Sequence, residues 1–262
     1  MNATDREKTA GEAPSDRIFA VIDCVVGNRG PVSITEIASR LDLPNPTVHR
    51  IATQLAERGY LKRAMGSKRF VPGPRLTELG LSIVGAAFAA DGPHAILLAL
   101  AQEIKEHCQI GVMSEGRIVY IDAARIVRSV GLQFEPGHSA PLYCTSIGKL
   151  YLAGMEDAEL FRFLRDVTFE RFTPTTICDA KTLLAQIETV RDKGWASTRG
   201  ELTMGVVGCA VPIFDSFGNM IAGLGTSVPE AHLSFEEIER FIPILRKASQ
   251  KISAALDIGT PA

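Results

Sequence analysis

The stretch that most limits what this chain can fold into is NPTVHRIATQLAER, Asn45 to Arg58, whose apolar residues recur at helical spacing. At the helical step, Val48, Ile51, Ala52, Leu55 and Ala56 fall on one arc, with Pro46, His49, Arg50, Thr53 and Glu57 opposite. A helix with so clean an aliphatic side needs partners close by, and the preceding sequence supplies them. A helix is expected from Asp16, with Ile18, Val21, Ile22 and Val25 on one face and GNRGP at its end. Ser33 and Glu36 have capping-box spacing and open a second helix, whose Ile34, Ile37, Ala38 and Leu41 share a face. DLPN breaks that helix, and Asn45 with Pro46 is expected to give the third a cap and a first-turn proline. Gly59 ends it. YLKRAMGSKRFVPG then reads as two short strands around Met65–Gly66–Ser67. Three helices followed by a basic hairpin is the order of a winged helix-turn-helix.

Charge sharpens this expectation. Residues 45–75 hold seven Lys or Arg against the single acid Glu57, a local balance of +6 in a chain whose total is −2, so the remainder carries −8. In a helix-turn-helix the second helix of the pair enters the major groove. Arginine reads guanine there with two hydrogen bonds, while threonine and histidine meet bases or phosphates. The candidate DNA-contacting set is therefore Asn45, Pro46, Thr47, His49, Arg50 and Thr53 on this helix, Ser33 at the start of the preceding one, and Lys62, Arg63, Lys68 and Arg69 on the wing. Wing contacts to phosphate position the protein and carry no sequence information.

PGPRLTELGLSIVGAAF follows, with Leu76, Leu79, Ile83, Val84 and Ala87 on one nearly uncharged face. A second subunit or the next domain would cover it. Beyond Asp91, helices alternate with two hairpins, CQIGVMSEGRIVYIDAA and CAVPIFDSFGNMIAGLGTSVP, and a closing helix is expected from Ser234 to about Leu256. Hairpins imply an antiparallel sheet with helices packed on it, an α+β sensor-like domain. The expected division is a disordered tail (1–15), a winged helix-turn-helix (16–73), a linker helix (74–90) and a sensor domain (91–262).

The five cysteines (24, 108, 144, 178 and 209) are odd in number and widely spaced, which suits buried thiols in a reducing cytoplasm better than a disulfide or zinc framework. The N-terminus has no apolar core of a signal peptide, and no apolar run reaches the ~20 residues of a membrane span. A soluble cytoplasmic protein is expected, with no membrane partner. The sequence holds no nucleophile elbow, zincin helix, phosphate loop or dinucleotide fingerprint, and its histidines lack metal spacing. No catalytic residue, metal or cofactor is therefore expected. Two other readings remain open: an architectural DNA-binding protein without ligand, and a cysteine-based redox enzyme centred on Cys108 and Cys144.

ITEIASRLDLPNPTVHRIATQLAERGYLKR, with GPRLTELG, APLYCTSIGKLYLA and KGWASTRGELTMGVVGCAVPIFDSFGNMIAGLGTSVP, resembles the IclR family of bacterial transcription regulators over roughly residues 16–257. The resemblance implies an N-terminal winged helix-turn-helix, a dimerising linker helix and a C-terminal effector-binding domain of GAF-like fold. It also implies assembly as a homodimer or homotetramer on a palindromic operator in double-stranded DNA, controlled by a small-molecule effector. Matching the family's pocket segments puts Thr145, Ser146, Ile147, Thr198, Gly208, Cys209, Gly225 and Ser227 at the effector. A carboxylate would suit the helix N-terminus at Thr145–Ile147. Arg199 stands where relatives carry acidic residues and is expected to favour an anion. Tyr143 stands where histidine is frequent. Met113, Tyr120 and Phe134 offer a flat apolar wall for an aromatic ring. The expected effector is an aromatic or short-chain carboxylate.

Overall fold

The computed structural model describes residues 14–28, 30–89, 91–125 and 136–256. Two compact units divide the chain, Met1–Ser82 and Ile83–Ala262.

In the first unit, α1 (Pro14–Val26), α2 (Ile34–Leu41) and α3 (Asn45–Glu57) are followed by the antiparallel pair β1 (Leu61–Arg63) and β2 (Phe70–Pro72). The core holds Val21 and Val25 from α1, Ile37 and Ala38 from α2, and Val48, Ile51, Ala52 and Leu55 from α3, closed by Leu61 and Phe70; Ile22, Ile34, Leu41 and Ala56 are only partly buried against it, and Ile18, expected on the same face of α1, is exposed. Ser33 caps α2 as its spacing predicts. The Ser33 N–H donates to Glu36 Oε2 at 2.7 Å, and the Glu36 N–H donates to Ser33 Oγ at 3.3 Å. The start of α3 departs from expectation. Pro44 occupies the cap position with no side-chain hydrogen bond, and Asn45 is already helical. The turn before it is made by Asp42, whose positive φ of 51° ends α2. The wing is tied to the helices through Val32, which exchanges two backbone hydrogen bonds with Phe70. Helix α4 (Pro74–Ala89) leaves this unit, and the division between units falls within it.

The second unit is built on a six-stranded sheet of order β5-β4-β3-β8-β7-β6 in which every pairing is antiparallel. Its strands are β3 (His107–Ser114), β4 (Arg117–Ala124), β5 (Ser139–Pro141), β6 (Ala196–Arg199), β7 (Val206–Phe214) and β8 (Met220–Pro229). The hairpins β3–β4 and β7–β8 turn at the expected residues, with left-handed Glu115 and Gly116 in the first and Gly218 in the second. One face of the sheet meets α5 (Asp91–Ile104) and α9 (Ile242–Ala255); the other meets α6 (Ser146–Gly154), which packs on α8 (Ala180–Lys193). Helix α7 (Asp157–Asp166) adds Leu160 and Leu164 to the core on the α6 side. The closing helix is not continuous. A 3-10 segment, Phe235–Phe241, precedes α9, whose first turn contains Pro243. Proline has no N–H to continue the ladder, so the helix restarts there.

Strand alternation sorts the side chains between the two faces. Val207, Cys209, Val211, Leu224 and Val228 are buried, and the Cys209 thiol reaches Ile238 O on the α9 side at 3.8 Å. Toward α6 the central strands carry Gly111, Gly208, Gly223 and Gly225. A Cβ on Gly223 would lie 2.6 Å from Ile147 Cγ2, and one on Gly225 3.4 Å from Ile147 Cδ1. The glycines thus let Ile147 of α6 lie directly on the sheet backbone.

Candidate functional site

Two places in the chain collect the residues singled out from sequence. The first is the outer side of α3. His49 and Arg50 are exposed, Thr47 and Thr53 are half-buried, and the aliphatic side beneath them is sealed. Arg50 has no partner among the described residues, so a full guanidinium fork is free to meet a base edge or a phosphate. Pro46 sits in the first turn, where its missing N–H costs nothing.

The wing is less uniform than its charge suggests. The Lys68 side chain is exposed and has no partner among the described residues, and Lys62 is exposed. Arg69 is engaged: its Nη1 donates to Pro31 O at 3.0 Å and lies 3.2 Å from Glu36 Oε2, tying the wing to the start of α2. The Arg63 guanidinium lies over the Phe70 ring at 5.1 Å and donates to Lys68 O at 3.4 Å. Ser33 is committed to the capping box, which holds the Glu36 carboxyl below its usual range, chiefly through the Ser33 N–H. These three candidates therefore brace the module; free cationic character falls to Arg50 and Lys68.

The second place is a cavity of about 30 Å³ between the sheet and the start of α6. Gln109, Gly208 and Ser227 form its floor, Thr198 one side and Tyr120 another. At the α6 end, Thr145 caps the helix: its Oγ1 accepts from the Gly148 N–H at 3.1 Å and donates to Pro141 O at 3.1 Å. The N–H groups of Ser146 and Ile147 then have no intrahelical acceptor and sit at the positive end of the helix dipole. Leu202, Thr203 and Val206 close the cavity from the loop between β6 and β7. That loop turns on left-handed Gly200 and Gly205, and the hydroxyls of Thr173 and Thr176 donate to Gly200 O at 2.6 Å and Glu201 O at 2.7 Å.

Behind this wall lies a buried ion pair that sequence reasoning did not foresee. Lys149 of α6 is 0 % exposed, and its Nζ donates to Glu201 Oε1 at 2.6 Å and Oε2 at 2.8 Å, and to Gln186 Oε1. Burial lowers the Lys149 pKa and raises that of Glu201, each opposed by the other's charge. The pair joins the helix that ends in the cavity to the loop that covers it.

Seven of the expected pocket residues meet at the cavity: Tyr120, Thr145, Ser146, Ile147, Thr198, Gly208 and Ser227. Gly225 borders it, since a Cβ there would lie 3.3 Å from Gln109 Nε2. Four others lie elsewhere. Cys209 points to the opposite face of the sheet. Arg199 alternates outward from Thr198 on β6 and is held by Glu230 at 2.6 Å and Glu236 at 3.7 Å, so its charge is already met. Tyr143 is buried with its hydroxyl donating to Glu170 O at 2.9 Å and accepting from Glu170 N at 2.8 Å. Met113 is 39 % exposed toward the end of β3 and does not line the cavity. Phe134 lies outside the described residues. Gln109 was missed, although its place on the glycine-bearing face of β3 follows from alternation with Gly111.

The Cys108 and Cys144 thiols are buried, and burial pushes each up to about 12, far from thiolate chemistry at neutral pH. Among the described residues no group of His, Cys, Asp or Glu is arranged to hold a metal ion, and no helix is long and apolar enough to cross a membrane.

Comparison with known proteins follows the same two-part division. The IclR helix-turn-helix domain matches residues 15–64, and the C-terminal domain of bacterial IclR transcriptional regulators matches residues 91–254. The transcriptional regulator KdgR of Escherichia coli is 29% identical over 240 residues, covering 92% of this chain and 91% of its own. The crystal structure of Thermotoga maritima IclR is 29% identical and covers 92% of this chain and 98% of its own, with a TM-score of 0.61. An IclR homologue from Microbacterium hydrocarbonoxydans, crystallised with 4-hydroxybenzoate, shares the fold at 23% identity and a TM-score of 0.59, covering 94% of this chain and 100% of its own.

Proposed function

The chain belongs to the IclR family of bacterial transcriptional regulators, and from that premise we propose that it switches catabolic or metabolic genes in response to a small organic acid or aromatic carboxylate. The observation that carries the DNA half is α3, with a sealed aliphatic side and an outer side presenting His49, Arg50 and Thr53. Laid in the major groove, Arg50 reads a base edge while Lys68 and Lys62 of the wing meet phosphates. The cavity beneath α6 supports the ligand half: two helix-end N–H groups without an intrahelical acceptor and a set of neutral hydroxyls gather at one small space.

A palindromic operator requires two copies of α3, and therefore at least a homodimer. The apolar side of α4, with Leu79 and Ile83 exposed, is the surface on which a second copy would close. The effector acts through its different affinity for two arrangements of that dimer, which α4 transmits as a change in the spacing of the DNA-reading modules.

The test is footprinting of the full chain over the region upstream of its own gene at modest ionic strength. A protected palindromic tract is expected. Arg50→Ala should weaken specific binding by about 10-fold or more and relax preference at one base pair per half-site, the loss of a contact worth ~1–3 kcal/mol. An unprotected region, or an Arg50→Ala protein with undiminished base preference, overturns the assignment of α3.

A further inference from the structure

The lining of the cavity says more about its ligand than that it is acidic. Gln109 is 3 % exposed, and its Nε2 donates to Ser227 Oγ at 2.9 Å. Its Oε1 is buried with no hydrogen-bond partner among the described residues. A buried acceptor left unmatched is costly, so this amide is set to receive a donor from whatever fills the cavity. A hydroxyl meets the need whichever way the amide is turned, because it both donates and accepts.

The opposite end of the cavity offers the Ser146 and Ile147 N–H groups, which suit one carboxylate. No charged side chain lines the space among the described residues, so nothing there neutralises a second negative charge. Size sets the third condition. A cavity of about 30 Å³ must widen to take any organic acid, and Ile147, packed on the sheet over Gly223 and Gly225, limits how far it can do so on that side.

We propose that the effector is a short-chain hydroxymonocarboxylate, its hydroxyl read by the Gln109–Ser227 pair, and that Ile147 is the residue that excludes a benzoate. This rests on the cavity being the effector site, as argued above. The acid end binds at α6, the hydroxyl end at β3 and β8, and the carbon chain lies between Tyr120 and Leu202.

Calorimetric titration of the full-length protein tests this with lactate and 3-hydroxybutyrate, their deoxy counterparts propionate and butyrate, and 4-hydroxybenzoate. At least one hydroxy acid is expected to bind about 10-fold or more tightly than its deoxy counterpart. Gln109→Leu and, separately, Ser227→Ala should each erase that difference while operator binding persists, which shows that the variant is folded. Ile147→Ala should admit 4-hydroxybenzoate, which the unaltered protein refuses. Equal binding of hydroxy and deoxy acids, or 4-hydroxybenzoate bound by the unaltered protein, overturns the proposal and leaves a carboxylate effector standing. If none of the five acids binds either the unaltered protein or Ile147→Ala, the effector reading of the cavity falls with it.

Discussion

At the scale of single residues, burial decides which chemically interesting groups are available. Cys108, Cys144 and Cys209 are sealed, whereas Cys24 and Cys178 are partly open. Maleimide labelling of the native protein near neutral pH, read by mass spectrometry, is therefore expected to modify Cys24 and Cys178 and to reach the other three only after unfolding. Rapid native labelling of Cys144 would show that the cavity opens far more than its closed geometry implies. Lys149 and Glu201 present the opposite case, a charged pair that cannot lose one member cheaply. Lys149→Met leaves the Glu201 carboxyl buried without its cation and should cost about 3–5 kcal/mol in chemical denaturation. Replacing both residues by apolar ones of similar volume should recover most of that loss. The Lys149–Glu201 pair was not legible in sequence. Lys149 lies in a helix beside Gly148 and Leu150, and nothing local reveals that a carboxylate 52 positions later completes it.

At the scale of elements, the sequence was legible wherever one period dominated. Val48, Ile51, Ala52 and Leu55 were assigned to the core from spacing alone, and their burial follows from it. The β3–β4 and β7–β8 turns were found because Glu-Gly and Asp-Ser-Phe-Gly-Asn leave few other choices. The pairing of β3 with β8 was not legible, since their ladder joins His107 to Ser227 across the length of the domain. The pocket shows both outcomes: Thr145 and Ser146 belong to a motif, whereas Gln109 is a polar residue on a buried strand and gains meaning only from its neighbours on β8. Helix α4 carries the clearest prediction at this scale. Ile83 is 67 % exposed and Leu79 48 % exposed on a helix with almost no charge beyond its first turns. Ile83→Glu should shift the protein from oligomer toward monomer in sedimentation velocity without altering its secondary structure. A monomeric unaltered protein would remove α4 as the dimer surface.

At the scale of the whole molecule, the two units present different surfaces to their ligands. The N-terminal unit concentrates positive charge, and the domain that follows is acidic in sum. Operator affinity should fall linearly in log–log form with salt, at a slope of about −0.9 for each phosphate neutralised. Lys68→Ala should weaken all DNA sequences alike and reduce that slope by about 1 per protomer. Equal loss of base preference from Lys68→Ala and Arg50→Ala would contradict the division between positioning and reading.

The neutral lining of the cavity carries that contrast further. An acid held by amide and hydroxyl dipoles, with no charged side chain in the lining, leaves no counter-ion for dissolved electrolyte to displace, so its hold should depend on ionic strength far less than a phosphate contact does. The grip on DNA depends on it steeply. Osmotic stress that concentrates the interior of a cell would then loosen this regulator from its operator with no metabolite present, while a signal already bound would stay bound. One polypeptide would in that way answer two kinds of news, with only one of them passing through the cavity.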